Sequence, residues 1–338
     1  MRREIGSEFY DIPLQEQDNM IFPEDTKWLI SGTAALEAIL LDILSFSKIA
    51  SVAIPSWCCS CLIEPFLKHN IRVTFYPVSV DKGHFAVDTT NIDTDIMLVM
   101  DFFGYEAGSI NPNGYDGIII RDITHSVFCP PKTDAHYYFG SLRKWAGFWT
   151  GGFAWAPEWH TCIQMSSQND EYVHLRSSAM EAKKYYLAEI IDKKDYLLTF
   201  ERCEDYLESC PIQAGSIRDV KCARKLDADF IKEKRRNNAR FLLSHLSEGP
   251  IFRTVNDNDV PLFVPIIVNG KKRDALKRFF IENDIYCPSH WAITNSHILS
   301  TEMRYVYENE ISLVCDQRYS EKDMQRIIDT YNVFLDKY

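Results

Sequence analysis

The stretch WLISGTAALEAILLDIL, residues 28–44, decides the fold: a short apolar run ends at Ser31-Gly32-Thr33 and a helix begins. Beyond Thr33, Leu36, Ile39, Leu40, Ile43 and Leu44 fall at i, i+3, i+4, i+7 and i+8, one face of a helix. Working outward, short apolar runs follow at Ser51–Ile54, Val73–Tyr76, Ile96–Met100, Gly117–Ile120 and His136–Phe139. Helical sequence intervenes, notably around Cys61–His69. Several of these runs are continuously apolar rather than alternating, the pattern of parallel strands covered on both faces. Strands and helices alternating in this way build an open, mostly parallel sheet, so the expected class is α/β.

The character of the chain changes after Pro157. Residues 170–246 are rich in Glu, Lys, Arg and Leu, contain Gly215 as their single glycine, and read as several helices. Within them the run Lys232–Arg236 (KEKRR) reads as a solvated helical face. Past Pro250, Val260–Val268 reads as a strand, Arg273–Asn283 as a helix, Ile311–Val314 as a strand and Asp323–Leu335 as a closing helix. The expected organisation is a large domain over 1–246, with an N-terminal arm (1–27) and the helical segment 170–246. A small α+β domain over 247–338 follows.

Composition narrows the function classes. Over 338 residues Lys and Arg number 37 and Asp and Glu 48, a net charge of −11 that disfavours nucleic acid and anionic membrane as partners. With 46% hydrophobic and 25% charged residues the chain is globular rather than disordered or fibrous. The N-terminus has two early arginines without a following apolar stretch, unlike a signal peptide. No run approaches the roughly 18 apolar residues of a membrane span. The expected compartment is the cytoplasm, where the ten cysteines stay free thiols and act as small buried hydrophobes. Cys58, Cys59 and Cys61 lack the paired Cys-x-x-Cys spacing of a zinc site, and no metal is expected.

Ligands of open parallel sheets bind beyond the carboxyl ends of the strands, so the residues just after each strand are the candidates. Ser31-Gly32-Thr33 opens the first helix; its amides and the positive helix end make an anion cradle, although a plain Ser31 or Thr33 cap accounts for the same residues. Asp122 follows Gly-Ile-Ile-Ile-Arg, where a partly buried carboxylate needs a cationic partner or caps the next segment. His125 falls near the same crevice, as a ligand or as a hydrogen-bonded structural histidine. Lys144 follows the strand ending near Phe139, in the apolar and aromatic run YYFGSLRKWAGFWTGG (137–152). Burial there would lower its pKa and make it a nucleophile toward a carbonyl carbon; the plainer alternative is a lysine reaching from a loop to water. Ser141 places a hydroxyl three residues earlier, and Gly151 and Gly152 let backbone pass close to a ligand.

Together, a helix-end anion cradle, a carboxylate and a buried lysine specify pyridoxal 5′-phosphate (PLP). On this reading Ser31, Gly32, Thr33 and Ser141 hold the phosphate, Asp122 keeps the ring nitrogen protonated, and Lys144 is the Schiff-base residue. Trp57, after the strand at 51–54, lies over the ring or fills the core.

These residues sit in segments that resemble the DegT/DnrJ/StrS-type PLP-dependent aminotransferases, of fold type I in the aspartate aminotransferase superfamily. The segments are SGTAAL (31–36), IPSWCCSCLIEPFLKHNIRVTFYPVSVD (54–81), MDFFGYEAG (100–108), IIRDITHSV (119–127), SLRKW and TGGFAW within 141–155, and ISLVCDQRYSEKDMQRI (311–327). The resemblance implies a large, mostly parallel αβα sandwich domain with a small C-terminal α+β domain. It also implies a homodimer with active sites at the subunit interface. The implied reaction is ping-pong transfer of an amino group, from glutamate or another amino acid, to a keto group of a sugar or other small carbonyl compound. In many relatives that sugar is nucleotide-linked. Lys144 would be both the attachment residue and the base of the 1,3-proton transfer, with His125 beside the ring. There are two departures. Thr150-Gly151-Gly152 occupies the place of the family's Asp-Gly-Gly, and helical sequence such as Met180–Asp192 replaces its Gly-Tyr-Asn-x-Arg motif.

On the substrate side, His290 and Trp291 of Pro-Ser-His-Trp line the cleft or pack a turn. Arg318 of Cys-Asp-Gln-Arg-Tyr grips a donor carboxylate or starts a helix at the surface. A PLP lyase or dehydratase, and a non-catalytic binding protein of the same fold, are the competing functions. The presence of both Lys144 and Asp122 weighs against mere binding. A Rossmann dinucleotide domain lacks support, because no Gly-x-Gly-x-x-Gly follows the first strand.

Overall fold

The computed structural model describes residues 4–337 except 20, 82, 113, 167–169, 211 and 271. The chain begins with β1 (Ile5–Gly6), β2 (Lys27–Leu29), α1 (Gly32–Phe46), β3 (Ser51–Pro55), α2 (Glu64–Lys68), β4 (Arg72–Tyr76), β5 (Val78–Asp81) and β6 (His84–Val87). It continues through β7 (Ile96–Met100), β8 (Ile118–Asp122), β9 (Tyr137–Ser141), β10 (Gly152–Trp155), α3 (Asp170–Leu187), α4 (Tyr196–Ser209), α5 (Ile217–Arg224) and α6 (Ala228–His245). The last elements are β11 (Phe263–Ile267), α7 (Arg273–Glu282), β12 (Ile285–Tyr286), α8 (Thr301–Asn309), β13 (Glu310–Val314) and α9 (Glu321–Lys337). The five strands expected between residues 51 and 139 are present as β3, β4, β7, β8 and β9. The β5–β6 hairpin, β10 and α8 are additions that the apolar pattern did not announce.

The chain packs as two compact units. The first holds Glu8–Lys48 and Tyr137–Ala228, together with Glu4. Here β10 lies antiparallel to β2 on one side and to β9 on the other, with Gly152 opposite both Leu29 and Ser141. Helix α1 starts where the Ser31 hydroxyl accepts the Ala34 N–H at 3.1 Å, an N-cap, and it buries Leu36, Ile39, Leu40 and Ile43 as the periodicity requires. The same face carries Asp42, fully buried. Its carboxylate accepts the Tyr137 hydroxyl at 2.7 Å and the His160 and Thr161 amides at 2.9 and 2.7 Å. One side chain thus ties α1, the start of β9 and the segment after β10 together, and its charge answers three donors that burial would otherwise leave unpaired.

The second unit holds Ile5–Ser7, Ile49–His136 and the chain from Asp229 onward. Its strands run in the order β8-β7-β3-β4, all parallel, and β3 and β7 are buried along their whole length. Such strands cannot alternate polar and apolar residues, which is why they read as continuous apolar runs. A second core forms around the antiparallel pair β11–β13, from Val264, Leu276, Phe280, Leu313, Ile328 and Phe334. It reaches back before residue 247 to include Ala239 and Leu242 of α6, and it takes in Ile5 of β1, which pairs in parallel with β12.

Two expectations fail in this unit. The KEKRR run is not a solvated face throughout. Arg235 is fully buried, its guanidinium donating to Gln317 Oε1 at 2.9 Å and to the carbonyls of Pro261 and Leu262. Burial pushes its pKa down, to about 10. A helix has an inner side, and a charge placed there must find acceptors. Nor are all ten cysteines free: Cys59 and Cys61 form a disulfide, because the turn after β3 brings two side chains with one residue between them together. Cys58, Cys203, Cys287 and Cys315 are buried thiols, whereas Cys162 is exposed. Among the described residues no helix is long and apolar enough to cross a membrane, and no group of three His, Cys, Asp or Glu is arranged to hold a metal.

Asp42→Ala should cost about 3 kcal/mol of unfolding free energy, since it leaves the Tyr137 hydroxyl and two amides without their acceptor. Asp42→Asn, which retains one acceptor oxygen, should cost less. Urea unfolding of the three proteins measures both differences; equal midpoints would show that Asp42 is not a stabilising contact.

Candidate active site

In the first unit the register of β10 brings the turns after β2 and β9 side by side. A Cβ built on Gly152 would lie 2.1 Å from the Ser31 carbonyl oxygen, so the strand can pass the Ser31 turn only with a glycine there. A Cβ on Gly32 would lie 3.4 Å from Ser141 Cβ, so Ser31-Gly32-Thr33 and Ser141 converge. Ser31 and Ser141 are buried, Gly32 is half-buried and Thr33 is exposed. The first turn of α1 contains no acidic residue, so the positive end of a 15-residue helix is not offset by a carboxylate in its own first turn. Hydroxyls and amides in this arrangement fit a phosphate group.

The lysine follows at once. Beyond β9, Leu142–Lys144 form a single 3-10 turn, closed by Trp145 N–H to Leu142 O at 2.9 Å and anchored by Leu142 N–H to Gly151 O at 2.8 Å. Gly151 has φ +85°, a conformation that favours glycine. Lys144 is exposed, not buried as the surrounding aromatic sequence led us to expect. The tight turn accounts for this: it points Leu142 into the core and sends Lys144 outward. Gly152 passes close to the backbone of Ser31 itself. Thr150, which stands where the family has aspartate, gives its N–H and O–H to the Asp219 carboxylate at 2.7 and 2.8 Å. That carboxylate on α5 lies almost seventy residues along the chain, and no local spacing announces it.

The second unit holds the remaining candidates. Asp122 ends β8 and is buried, with Oδ1 accepting the Thr124 N–H at 2.8 Å. Before it, Arg121 is fully buried between Asp101 and Asp134, at 2.7 Å from each, and Asp101 also accepts the Ser126 hydroxyl at 2.6 Å. These bonds fix both sides of the Asp122–His125 turn. His125 Nδ1 accepts the Phe103 N–H, so its neutral ring carries the proton on Nε2. The His125 ring stacks on Trp291 with centroids 5.8 Å apart and planes 19° apart. Trp57 is wholly buried, stacked on Phe102 at 5.4 Å, and its indole N–H donates to the His290 carbonyl at 2.7 Å; it has no exposed face in the single chain. Burial and the nearby Asp122 charge push the Cys58 thiol up, so it is no nucleophile.

His290 and Trp291 do meet His125, with the two histidine rings 5.9 Å apart. The His290 N–H donates to Glu310 Oε2 at 2.5 Å, and Ser312 gives its hydroxyl proton to Glu310 Oε1 at the same distance. Ser312 Oγ also lies 2.9 Å from His290 Nδ1, so the hydroxyl links the Glu310 carboxyl to the His290 ring. Glu310 and Ser312 were missed in the sequence because they lie inside an apolar strand. Burial raises the Glu310 carboxyl to about 8, against the opposing pull of the His290 amide and the Ser312 hydroxyl. Arg318 Nε and Nη2 grip Asp316 at 2.9 and 2.8 Å, and Nη2 also donates to Ser7 O.

No protein-family model and no curated protein matches the sequence. The fold does match solved structures. The sugar aminotransferase CalS13 from Micromonospora echinospora is 16% identical, with 90% of this chain and 86% of that one covered at a TM-score of 0.58. The Streptococcus pneumoniae protein Spr1654 in its PMP form is 16% identical, over 92% and 88% of the chains, at 0.61. Helicobacter pylori PseC, an aminotransferase involved in the biosynthesis of pseudoaminic acid, is 13% identical, over 98% and 100%, at 0.63. The fold expected from the sequence is therefore the fold present.

Glu310 binds its proton more tightly in the folded chain than in the unfolded one. The stability this group contributes is complete below the ordinary glutamate pKa of about 4.3. It is lost as pH rises toward about 8. Glu310→Gln keeps an acceptor for the His290 amide and removes the titration, so its stability relative to the parent should climb across that window. Denaturant midpoints at several pH values test this; parallel profiles would show that the carboxyl titrates normally.

Proposed function

We propose that the chain is a PLP-dependent aminotransferase. It moves an amino group, from glutamate or another amino acid, to the keto group of a sugar or another small carbonyl compound. The observation that carries this reading is the register at Gly152, which sets a helix start without a first-turn carboxylate, and its hydroxyls, beside the strand leading into Lys144. The fold supports it, being common to the sugar aminotransferase CalS13, to PseC and to a protein seen in its PMP form. When bound, the cofactor supplies an electron sink for charge developing on the substrate carbon.

The remaining work falls to the chain's own side chains. Ser31, Gly32, Thr33 and Ser141 hold the phosphate, and Asp122 holds a proton on the ring nitrogen through a charge-assisted bond of about 1.5–3 kcal/mol. His125 would stand beside the ring. Lys144 would be the attachment residue and would hold the transferable proton on Nζ. His290 and Trp291 face the substrate, with Trp57 holding the His290 backbone in place. Arg318 is left out of this site because Asp316 already engages it. On the family resemblance the enzyme is a homodimer. Its net charge of −11 disfavours polyanionic partners.

Purified protein mixed with PLP should turn yellow, and borohydride should fix the cofactor on Lys144, read as added mass on the peptide that carries it. Lys144→Ala should keep its circular dichroism spectrum and lose both the colour and all amino transfer. Amino acids offered one at a time should identify the donor through release of pyridoxamine 5′-phosphate. A protein that stays colourless and takes up no PLP overturns the reading.

A further inference from the structure

The turn that carries Lys144 is held from one side by a network of charges. Arg143, the residue before it, donates from Nη1 and Nη2 to the two carboxylate oxygens of Glu204 on α4, at 2.8 and 3.3 Å, and from Nη1 to the Tyr172 hydroxyl on α3 at 2.9 Å. Arg176, one helical turn beyond Tyr172, is almost fully buried and donates to Glu8 at 2.7 Å, with Glu204 3.6 Å away on its other nitrogen. Burial alone would raise the Glu8 and Glu204 carboxyls, but the arginines outweigh it and hold both below the usual range, so both are charged at neutral pH. Next in the same arm, the backbone carbonyl of Asp11 accepts the Gly147 N–H at 2.8 Å, and a Cβ on Gly147 would lie 2.6 Å from the Asp11 nitrogen. The segment 142–151 is thus gripped at Arg143, at Gly147 and, through Asp219, at Thr150.

The geometry of a 3-10 turn gives this grip a consequence. With three residues per turn, successive side chains point about 120° apart. Leu142 points into the core and Arg143 toward α3 and α4, so Lys144 takes the third direction. Its own side chain is exposed. An attachment residue needs its nitrogen within a narrow range of the reacting carbon, and a misplacement of about 1 Å can cost on the order of a hundredfold in rate. Holding Arg143 is therefore a means of aiming Lys144.

We propose that Glu8, Tyr172, Arg176 and Glu204 are positioning residues for Lys144 that act through Arg143. The proposal rests on the PLP reading of Lys144. It gives the middle helices a task, since α3 and α4 are where three of the four residues lie.

The test separates aim from fold by using two ligands. PLP can attach covalently: the Lys144 amine adds to its aldehyde carbon and one water leaves. Pyridoxine 5′-phosphate offers the same ring and phosphate but carries an alcohol in place of the aldehyde. In Glu204→Gln and Arg143→Gln, the rate of PLP attachment, followed by the visible band and by borohydride trapping, should fall about tenfold or more. Affinity for pyridoxine 5′-phosphate should stay within about twofold of the parent, and Glu204→Asp should recover part of the attachment rate. Equal losses for both ligands would mean that the network only supports the fold, and unchanged attachment would mean that it does not aim the lysine; either overturns the proposal. The parent protein is the control for the underlying reading. If it binds no PLP, Lys144 is not an attachment residue, and the network has nothing to position.

Discussion

The absence of a side chain at Gly152 is the constraint on which the first unit depends. Strand β10 pairs on both sides, and its first residue faces Leu29 and Ser141 at once. The Ser31 carbonyl oxygen comes within 2.1 Å of where a Cβ would stand. Any other residue would push β10 off β2 and separate the start of α1 from the turn after β9. Everything chemical in this unit follows from that contact. The helix start supplies amides and positive potential, Ser141 adds a hydroxyl, and Lys144 emerges three residues later. Asp42 fixes the other end of the same layer by joining α1 to the start of β9.

The second unit is organised by buried charges that are compensated rather than avoided. Arg121 sits between Asp101 and Asp134, and Asp101 reaches on to Ser109 and Ser126, so the turn carrying Asp122 and His125 is bound from both sides. Glu310 holds the His290 turn differently: burial raises its carboxyl to about 8, and it accepts the His290 amide and contacts Ser312. A buried ion without such partners would cost several kcal/mol. With them it holds the neighbouring turn in place. The outcome is a stack of His125, Trp291 and Phe103 with His290 edge-on to it.

Much of this was legible in the sequence where the signal is periodic. The α1 face, the parallel strands β3, β7 and β8, and the helices of residues 170–246 follow from apolar spacing, because burial on one or both faces leaves a repeat that can be counted. Residues lying just after strands were found by the same logic, since strand ends are where an open sheet exposes its loops. The failures share a cause. Lys144 was read as buried from its aromatic neighbours, yet a 3-10 turn sends adjacent residues in different directions. Arg235 was read as solvated from the charges around it, yet one side of that helix faces a core. Arg318, read as a partner for a donor carboxylate or as a surface helix start, is held by Asp316 two residues before it, a contact the sequence reading did not include.

The sequence alone determined the α/β class, the order of most of its parallel strands and main helices, and the residue types at the strand ends: Ser31-Gly32-Thr33, Asp122, His125, Ser141 and Lys144. These are local properties, set by side-chain periodicity and by which residues can start or end a strand. Only the tertiary structure decided which of them meet and what holds them: Ser141 against Gly32, Thr150 on Asp219, Arg143 on Glu204, Trp57 on the His290 carbonyl, and the Glu310 carboxyl on the His290 amide. Those pairs lie tens to hundreds of residues apart. The pairing is settled by strand register and by the requirement that every buried charge find a partner, and neither leaves a repeat in the chain that a reader of the sequence could count.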